Sequence, residues 1–288
     1  GPVCDEVLGR KQSAAVLAEL ARSNLPLAPV DSSHVRYRLP SLFREMLQTD
    51  LRRSEPELQP VLHGRAAEWY RRAQDVDRAI EHSCRAGDVE QTGDLLWVNV
   101  LRYLGTGEND CIQRWLSGLS AERVAGSARL ALVAAHSHLA LGSVATAEQW
   151  ARHATARMGE QPGLSAAPER AGALIIEAWA ARSGPRGMAE HATRAYELLR
   201  DDDPWRASCC FLRGTAALLI GDETEAERRL QEGLIRGEAM VPDATALCLA
   251  QLAVMAAQRD QPELAFDLAD RAGSVVRAHR LEGYRTSA

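Results

Sequence analysis

The sequence predicts a mainly α-helical chain: an α-solenoid of about six helix pairs, preceded by a short helical module with a small β-hairpin. Three observations predict it. A small-residue signature returns along the chain, clearest at Leu141-Gly142-Ser143-Val144-Ala145-Thr146-Ala147-Glu148-Gln149-Trp150-Ala151-Arg152-His153-Ala154. It comes back as Ile220-Gly221-Asp222-Glu223-Thr224-Glu225-Ala226, with Leu230 and Gly233 following. The marker position early in the second helix of each pair falls at Ala79, Ile112, Ala147, Met188, Ala226 and Ala265, at intervals of 33, 35, 41, 38 and 39 residues, the period of a two-helix repeat. Alanine is abundant, aromatics make up only 5% of the chain and strand-forming runs are nearly absent, which suits helices that cross at close range.

The elements follow in order. Gln12–Ser23 reads as a short amphipathic helix with Val16, Leu17 and Leu20 on its apolar face. Leu25-Pro26-Leu27-Ala28-Pro29-Val30, then Asp31-Ser32-Ser33, then Val35-Arg36-Tyr37-Arg38-Leu39 read as strand, turn, strand, with Val35, Tyr37 and Leu39 on the buried side. Pro40-Ser41 opens a helix carrying Leu42, Phe43, Met46, Leu47 and Leu51. Helix, hairpin, helix is the latter part of a winged-helix module, placed at residues 1–53. Residues 54–288 form the repeat domain. Its pairs run Leu58–Arg72 with Val76–Ala86, Glu90–Leu104 with Asp110–Leu119, and Ala128–Leu141 with Val144–Met158. Glu169–Arg182 with Gly187–Arg200, Trp205–Ile220 with Glu223–Arg236, and Asp243–Gln258 with Pro262–His279 complete the array. The polar tail from Leu281 reads as a frayed end or a linker.

Charge and cysteine usage exclude several classes. The net charge is −5, and the balance is uneven: residues 1–53 hold eight basic and six acidic groups, the remainder 26 and 33. The repeat domain is therefore mildly acidic and a poor surface for phosphate backbones. The six cysteines form no CxxC pair and no regular framework, as in a reducing cytoplasm. No apolar run reaches membrane-spanning length. The start at Gly1-Pro2 reads as a piece cut from a longer protein.

The pattern Leu-Gly-x(4)-Ala-x(3)-Ala-x(2)-Ala at residues 141–154 resembles tetratricopeptide repeats. Upstream, Val35-Arg36-Tyr37-Arg38-Leu39-Pro40-Ser41-Leu42-Phe43-Arg44-Glu45-Met46-Leu47 resembles the winged-helix segment of MalT-like regulators. So do Glu55-Pro56-Glu57-Leu58, His63-Gly64-Arg65-Ala66-Ala67-Glu68-Trp69-Tyr70 and Ala79-Ile80-Glu81-His82. These are large ATP-dependent transcription regulators of the LuxR class, and the resemblance covers roughly residues 3–104. Pro40 stands where the family more often has a histidine or another polar residue, which a helix N-terminus tolerates. There is no GxxxxGK[ST] nucleotide loop, and no LuxR-type DNA-binding helix pair is evident. The resemblance implies that ATP is bound by an upstream domain and DNA by a downstream one, so this chain has no cofactor of its own and corresponds to the sensor arm.

No catalytic constellation stands out, and the chain reads as non-enzymatic. His136 and His138 are two apart and point in different directions on a helix, so they do not make a metal site. His138 is expected to fill a gap between helices, as Tyr70 and Trp179 do. Trp69, Trp115, Trp150 and Trp179 read as packing residues, while Trp97 and Trp205 are less determined. Asp201-Asp202-Asp203 reads as a turn and helix cap, and Cys209-Cys210 as small buried residues. Arg36 and Arg38 on the wing suggest DNA contact, but the resemblance implies an interdomain spacer there.

The inner face of the array, lined by the first helix of each pair, is expected to carry the site. It takes Arg129, Leu132 and His136 from the third repeat, Arg170, Ala173 and Glu177 from the fourth, and Phe211 and Thr215 from the fifth. Arg129, Arg170 and Glu177 would orient a small-molecule inducer or a regulatory protein, with Phe211 as apolar contact. Self-association remains an open option, and a plain protein-interaction scaffold is the alternative.

Overall fold

The structure, a computed structural model, describes residues 2–23, 25–30, 37–160, 167–237 and 240–284. Among them are sixteen helices and one two-stranded hairpin, the mainly helical, tetratricopeptide-like solenoid that the repeat spacing predicts. The chain divides into two compact units, Gly1–Leu95 and Leu96–Ala288.

In the first unit, α1 (Pro2–Leu8) and α2 (Ser13–Arg22) precede β1 (Ala28–Pro29) and β2 (Tyr37–Arg38), then α3 (Ser41–Ser54), α4 (Leu58–Arg72) and α5 (Val76–Ala86). The strands are antiparallel, with Ala28 opposite Arg38 and Pro29 opposite Tyr37. Tyr37 and Leu39 are half-buried and Arg38 exposed, as the alternation requires, while the expected turn with Val35 and Arg36 lies outside the described residues. Helix α1 leaves no mark in the sequence pattern, because seven residues cannot form a stable helix alone. Tertiary contacts hold it: Arg65 donates to the Val7 carbonyl at 3.0 Å, Arg72 meets Glu6 at 2.6 Å, and the Ser13 amide donates to Asp5 at 2.8 Å. The apolar faces expected of α2 and α3 are largely uncovered. Val16, Leu20, Met46 and Leu47 are exposed and Leu42 is 79% exposed.

The α4/α5 pair crosses through Ala66, Ala67, Ala79 and Ile80, all buried. Asp75 caps α5 by accepting from the Arg78 amide at 3.2 Å. The Tyr70 ring stacks on His82, whose Nδ1 lies 2.8 Å from His63 Nδ1. One imidazole must donate and the other accept. Burial, then the neighbouring His82, lowers the His63 pKa to about 4.

The second unit begins within α6 (Val89–Gly105) and continues with α7 (Asn109–Ser117) and α8 (Ala121–Gly126). The remaining pairs are α9 (Ala128–Ala140) with α10 (Val144–Glu160), α11 (Ala167–Ala180) with α12 (Gly184–Leu198), α13 (Trp205–Leu219) with α14 (Glu223–Gly237), and α15 (Pro242–Gln258) with α16 (Pro262–Ala278). The one-turn helix α8 was not expected. Ser120 caps its start and Ser127 caps α9. Helix α9 is buried almost all round, from Leu130 to Ser137 without interruption, so it forms the middle of the unit. The Leu-Gly and Ile-Gly signatures end first helices: Gly142 and Gly221 take φ of 74° and 85°, the left-handed region that a side chain disfavours.

The array turns back on itself. Leu101 of α6 packs on Ala207, Val241 and Ala244, joining the first helix of this unit to its last repeat. Leu281 is fully buried and Tyr284 nearly so, which corrects the expectation that the chain frays from Leu281. Their apolar surface is covered by the unit instead of being left to solvent. No helix of the described residues is long and apolar enough to cross a membrane.

Candidate functional site

Helix α11 shows how the sequence builds two different surfaces. Residues advance about 100° each around an α-helix, so Gly172, Ile175 and Trp179 share one face while Arg170, Leu174 and Glu177 share the opposite one. The first face looks into the unit. Trp97 approaches it so closely that a Cβ on Gly172 would lie 2.5 Å from the indole edge. Trp97 stacks on Trp205 with ring centres 5.6 Å apart, and His136 sits 4.4 Å from Trp205. Trp179 and Phe211 adjoin at 5.4 Å. Beside these rings lies a partly open cavity of about 40 Å³ lined from five helices, by Leu101 of α6, His136 of α9, Trp179 of α11, Trp205, Ser208 and Phe211 of α13, and Asp243 of α15. Burial lowers the His136 pKa to about 3 and raises that of Asp243 above the ordinary carboxylate range.

The second face opens on an outer cleft of about 630 Å³ between α10, α11 and α12. Arg170, Glu177, Arg194 and Glu197 supply its charge, over an apolar floor that includes Met158, Leu174 and Leu198. Neither Arg170 nor Arg194 forms an ion pair with the described residues, and His191 Nε2 lies 3.7 Å from Glu177. The cleft therefore offers both signs of charge to a polar guest.

The six residues expected to form one groove thus fall in separate places. His136 and Phe211 line the interior cavity. Arg170 and Glu177 line the outer cleft, half a helical turn away, with Ala173. Arg129 pairs with the buried Glu169 at 2.7 Å, and Thr215 stands one turn beyond Phe211 with its hydroxyl buried and without a protein partner. The structure therefore does not bring the six into one groove, because indole rings crowd the space beside His136 and Phe211. Trp97 and Trp205, undetermined in sequence, are the central pair of this interior. Its completely buried histidine is His136, while His138 is only partly covered. Asp243 and Ser208 were missed. Asp243 had an ordinary explanation as an acidic residue in a helix's first turn, and nothing local distinguishes it from Glu263 in α16.

The remaining candidates take structural places. The Asp203 carboxylate accepts from the Trp205 amide at 3.0 Å, and Asp201 pairs with Arg206. Cys209 and Cys210 are buried free thiols, and burial pushes the Cys210 pKa up to about 12. No cluster of three metal-binding side chains occurs among the described residues.

Comparison with known proteins agrees with this organisation in outline. Residues 1–59 match the family described as the MalT winged helix domain. A search of curated proteins finds no match. Among solved structures, the chain is similar to one in the crystal structure of the APC/C hetero-tetramer Cut9-Hcn1, with 16% identity and a TM-score of 0.50, over 95% of this chain and 48% of that one. The chain therefore spans about half the length of that protein, and at this identity the likeness concerns the fold alone.

Proposed function

We propose that this chain is the sensor and interaction arm of a signal-transducing transcription regulator of the MalT-like, LuxR class. It binds an inducer or a regulatory protein on the solenoid and passes the signal to nucleotide-binding and DNA-binding domains outside this chain. In this reading the arm works in the cytoplasm, performs no catalysis and holds no cofactor, ATP being bound upstream. The MalT-type segment at residues 1–59 supports the class of protein.

One observation supports the place of binding: the outer cleft sets Arg170 and Arg194, unpaired among the described residues, beside Glu177 and Glu197 over an apolar floor. Such a lining suits a guest that carries both donors and acceptors, such as a polar metabolite or a peptide segment. The guest acts by binding one arrangement of the full protein more tightly than the other. A thermal-shift screen of the chain against sugars, nucleotides and other metabolites tests this, because a ligand that binds the folded state raises Tm as its concentration passes Kd. Arg170→Ala should weaken the response without lowering the stability of the free chain. A hit that Arg170→Ala leaves unchanged counts against the cleft. A flat screen together with a co-purifying partner protein favours the scaffold reading.

A further inference from the structure

Two polar side chains, His136 and Asp243, line the otherwise largely apolar interior cavity. His136 is 3% exposed, and its Nε2 makes no hydrogen bond of good geometry among the described residues, although the Gly172 backbone lies close enough to favour its charged form. Asp243 keeps some accessible surface. Only the amides at the start of α15, its own and that of Ala244, favour its charge. Both residues line the same 40 Å³ space. Those amides are the partners of Asp243, and a carboxylate set against an apolar, aromatic wall is still costly to bury.

The walls define what further partner the pocket would accept. Trp179, Trp205 and Phe211 contribute π systems, whose faces attract cations. Asp243 supplies a counter-charge, and no arginine, lysine or protonated histidine lines the cavity. His136 stays neutral near pH 7 and adds no opposing charge. An anion would meet the Asp243 carboxylate. A sugar would need more room, since about 40 Å³ admits only a few water-sized groups.

We propose that this cavity is a second binding site, separate from the outer cleft, that takes a small organic ammonium ion with Asp243 as counter-ion, Trp179 and Trp205 as cation–π walls and His136 as hydrogen-bond acceptor. The site does not depend on the reading of the outer cleft.

The test is thermal unfolding of the whole chain in rising ethylammonium chloride, against sodium chloride at equal ionic strength and against ethanol, the neutral analogue of similar size. The expected result is a saturating rise in Tm with ethylammonium alone. Asp243→Asn should weaken that response about tenfold or more, the scale of losing a charged hydrogen-bond partner, while Arg170→Ala leaves it intact. An equal response to ethanol, a full response in Asp243→Asn, or no response at all overturns the proposal. The comparison with ethanol uses the unsubstituted chain, so it decides the matter even where Asp243→Asn unfolds. A metabolite response that depends on Arg170 alongside a flat ethylammonium series removes this site and leaves the cleft standing.

Discussion

His136 carries a large pH liability for a single side chain. Burial holds it neutral, with a folded pKa of about 3 against 6.5 when exposed. Between those values the unfolded chain binds a proton that the folded chain refuses. Stability is therefore complete above pH 6.5 and declines as pH falls toward 3, at about 1.4 kcal/mol per pH unit for one such group. Denaturant titrations at pH 7.5, 6 and 5 should show a slope of at least that size, and His136→Gln should reduce it by about that amount, leaving the part due to His63; an unchanged slope in the variant would place the acid sensitivity elsewhere. Gly172 is the steric counterpart. A methyl there meets Trp97 at 2.5 Å, and Trp97 is itself pinned against Trp205. Neither ring is a flexible chain end, so Gly172→Ala should cost about 1–3 kcal/mol by overpacking. A mid-helix glycine replaced by alanine ordinarily gains stability, so the sign of the change, read from the denaturation midpoint, decides whether the approach is as close as the geometry states.

At the scale of elements, helices α12, α13 and α14 are tied by a polar cluster. Glu232 of α14 accepts from Tyr196 of α12 at 2.6 Å and from Arg229 and Arg236 at 3.0 Å each. Arg206 and Arg213 of α13 lie over the Tyr196 ring at 4.2 and 5.0 Å. Burial opposes the Glu232 charge, but these donors outweigh it and lower its pKa to about 2. Glu232→Gln should destabilise by about 1–2 kcal/mol, the size of a charge-assisted bond that is partly replaced. The wild type should lose that margin as pH falls below 4.5 toward 2, a loss absent from the variant. Helix α3 gives the opposite case: Leu42 is 79% exposed, so Leu42→Gln should change stability by no more than about 0.5 kcal/mol in the same titration. These two helix systems also show what could be read beforehand. The pairs from Leu58 to His279 were legible to within a few residues, because small residues and Leu-Gly ends recur at a fixed period. Helices α1 and α8 were not, since each is short and held by tertiary contacts or serine caps. The site was legible only in fragments. Periodicity identified His136 and Phe211 as inward, but it could not say that aromatic rings fill the space beside them, nor that Arg170 and Glu177 line a different cleft.

At the scale of the molecule, the closure of the second unit changes how it should unfold. An open solenoid joins only neighbouring repeats, and its ends fray at lower free energy than its middle. Here Leu101 of α6 reaches Val241 and Ala244 at the start of α15, and Leu281 beyond α16 is fully buried. The terminal repeats therefore support each other, and loss of either exposes the shared aromatic interior. Hydrogen exchange should give α6 beyond Leu96, α9 and α15 nearly equal opening free energies, with no gradient toward α15. Ending the chain at Arg280 removes Leu281 and Tyr284 from this seam. Burying one leucine side chain is worth about 1.5–3 kcal/mol, so the shortened chain should lose at least that much and α15 should then exchange ahead of α9. If the intact chain already shows a gradient falling from α9 to α15, the seam contributes nothing to cooperativity. In that event the cavity is a loose space between independent repeats, and it would not hold a charge pair.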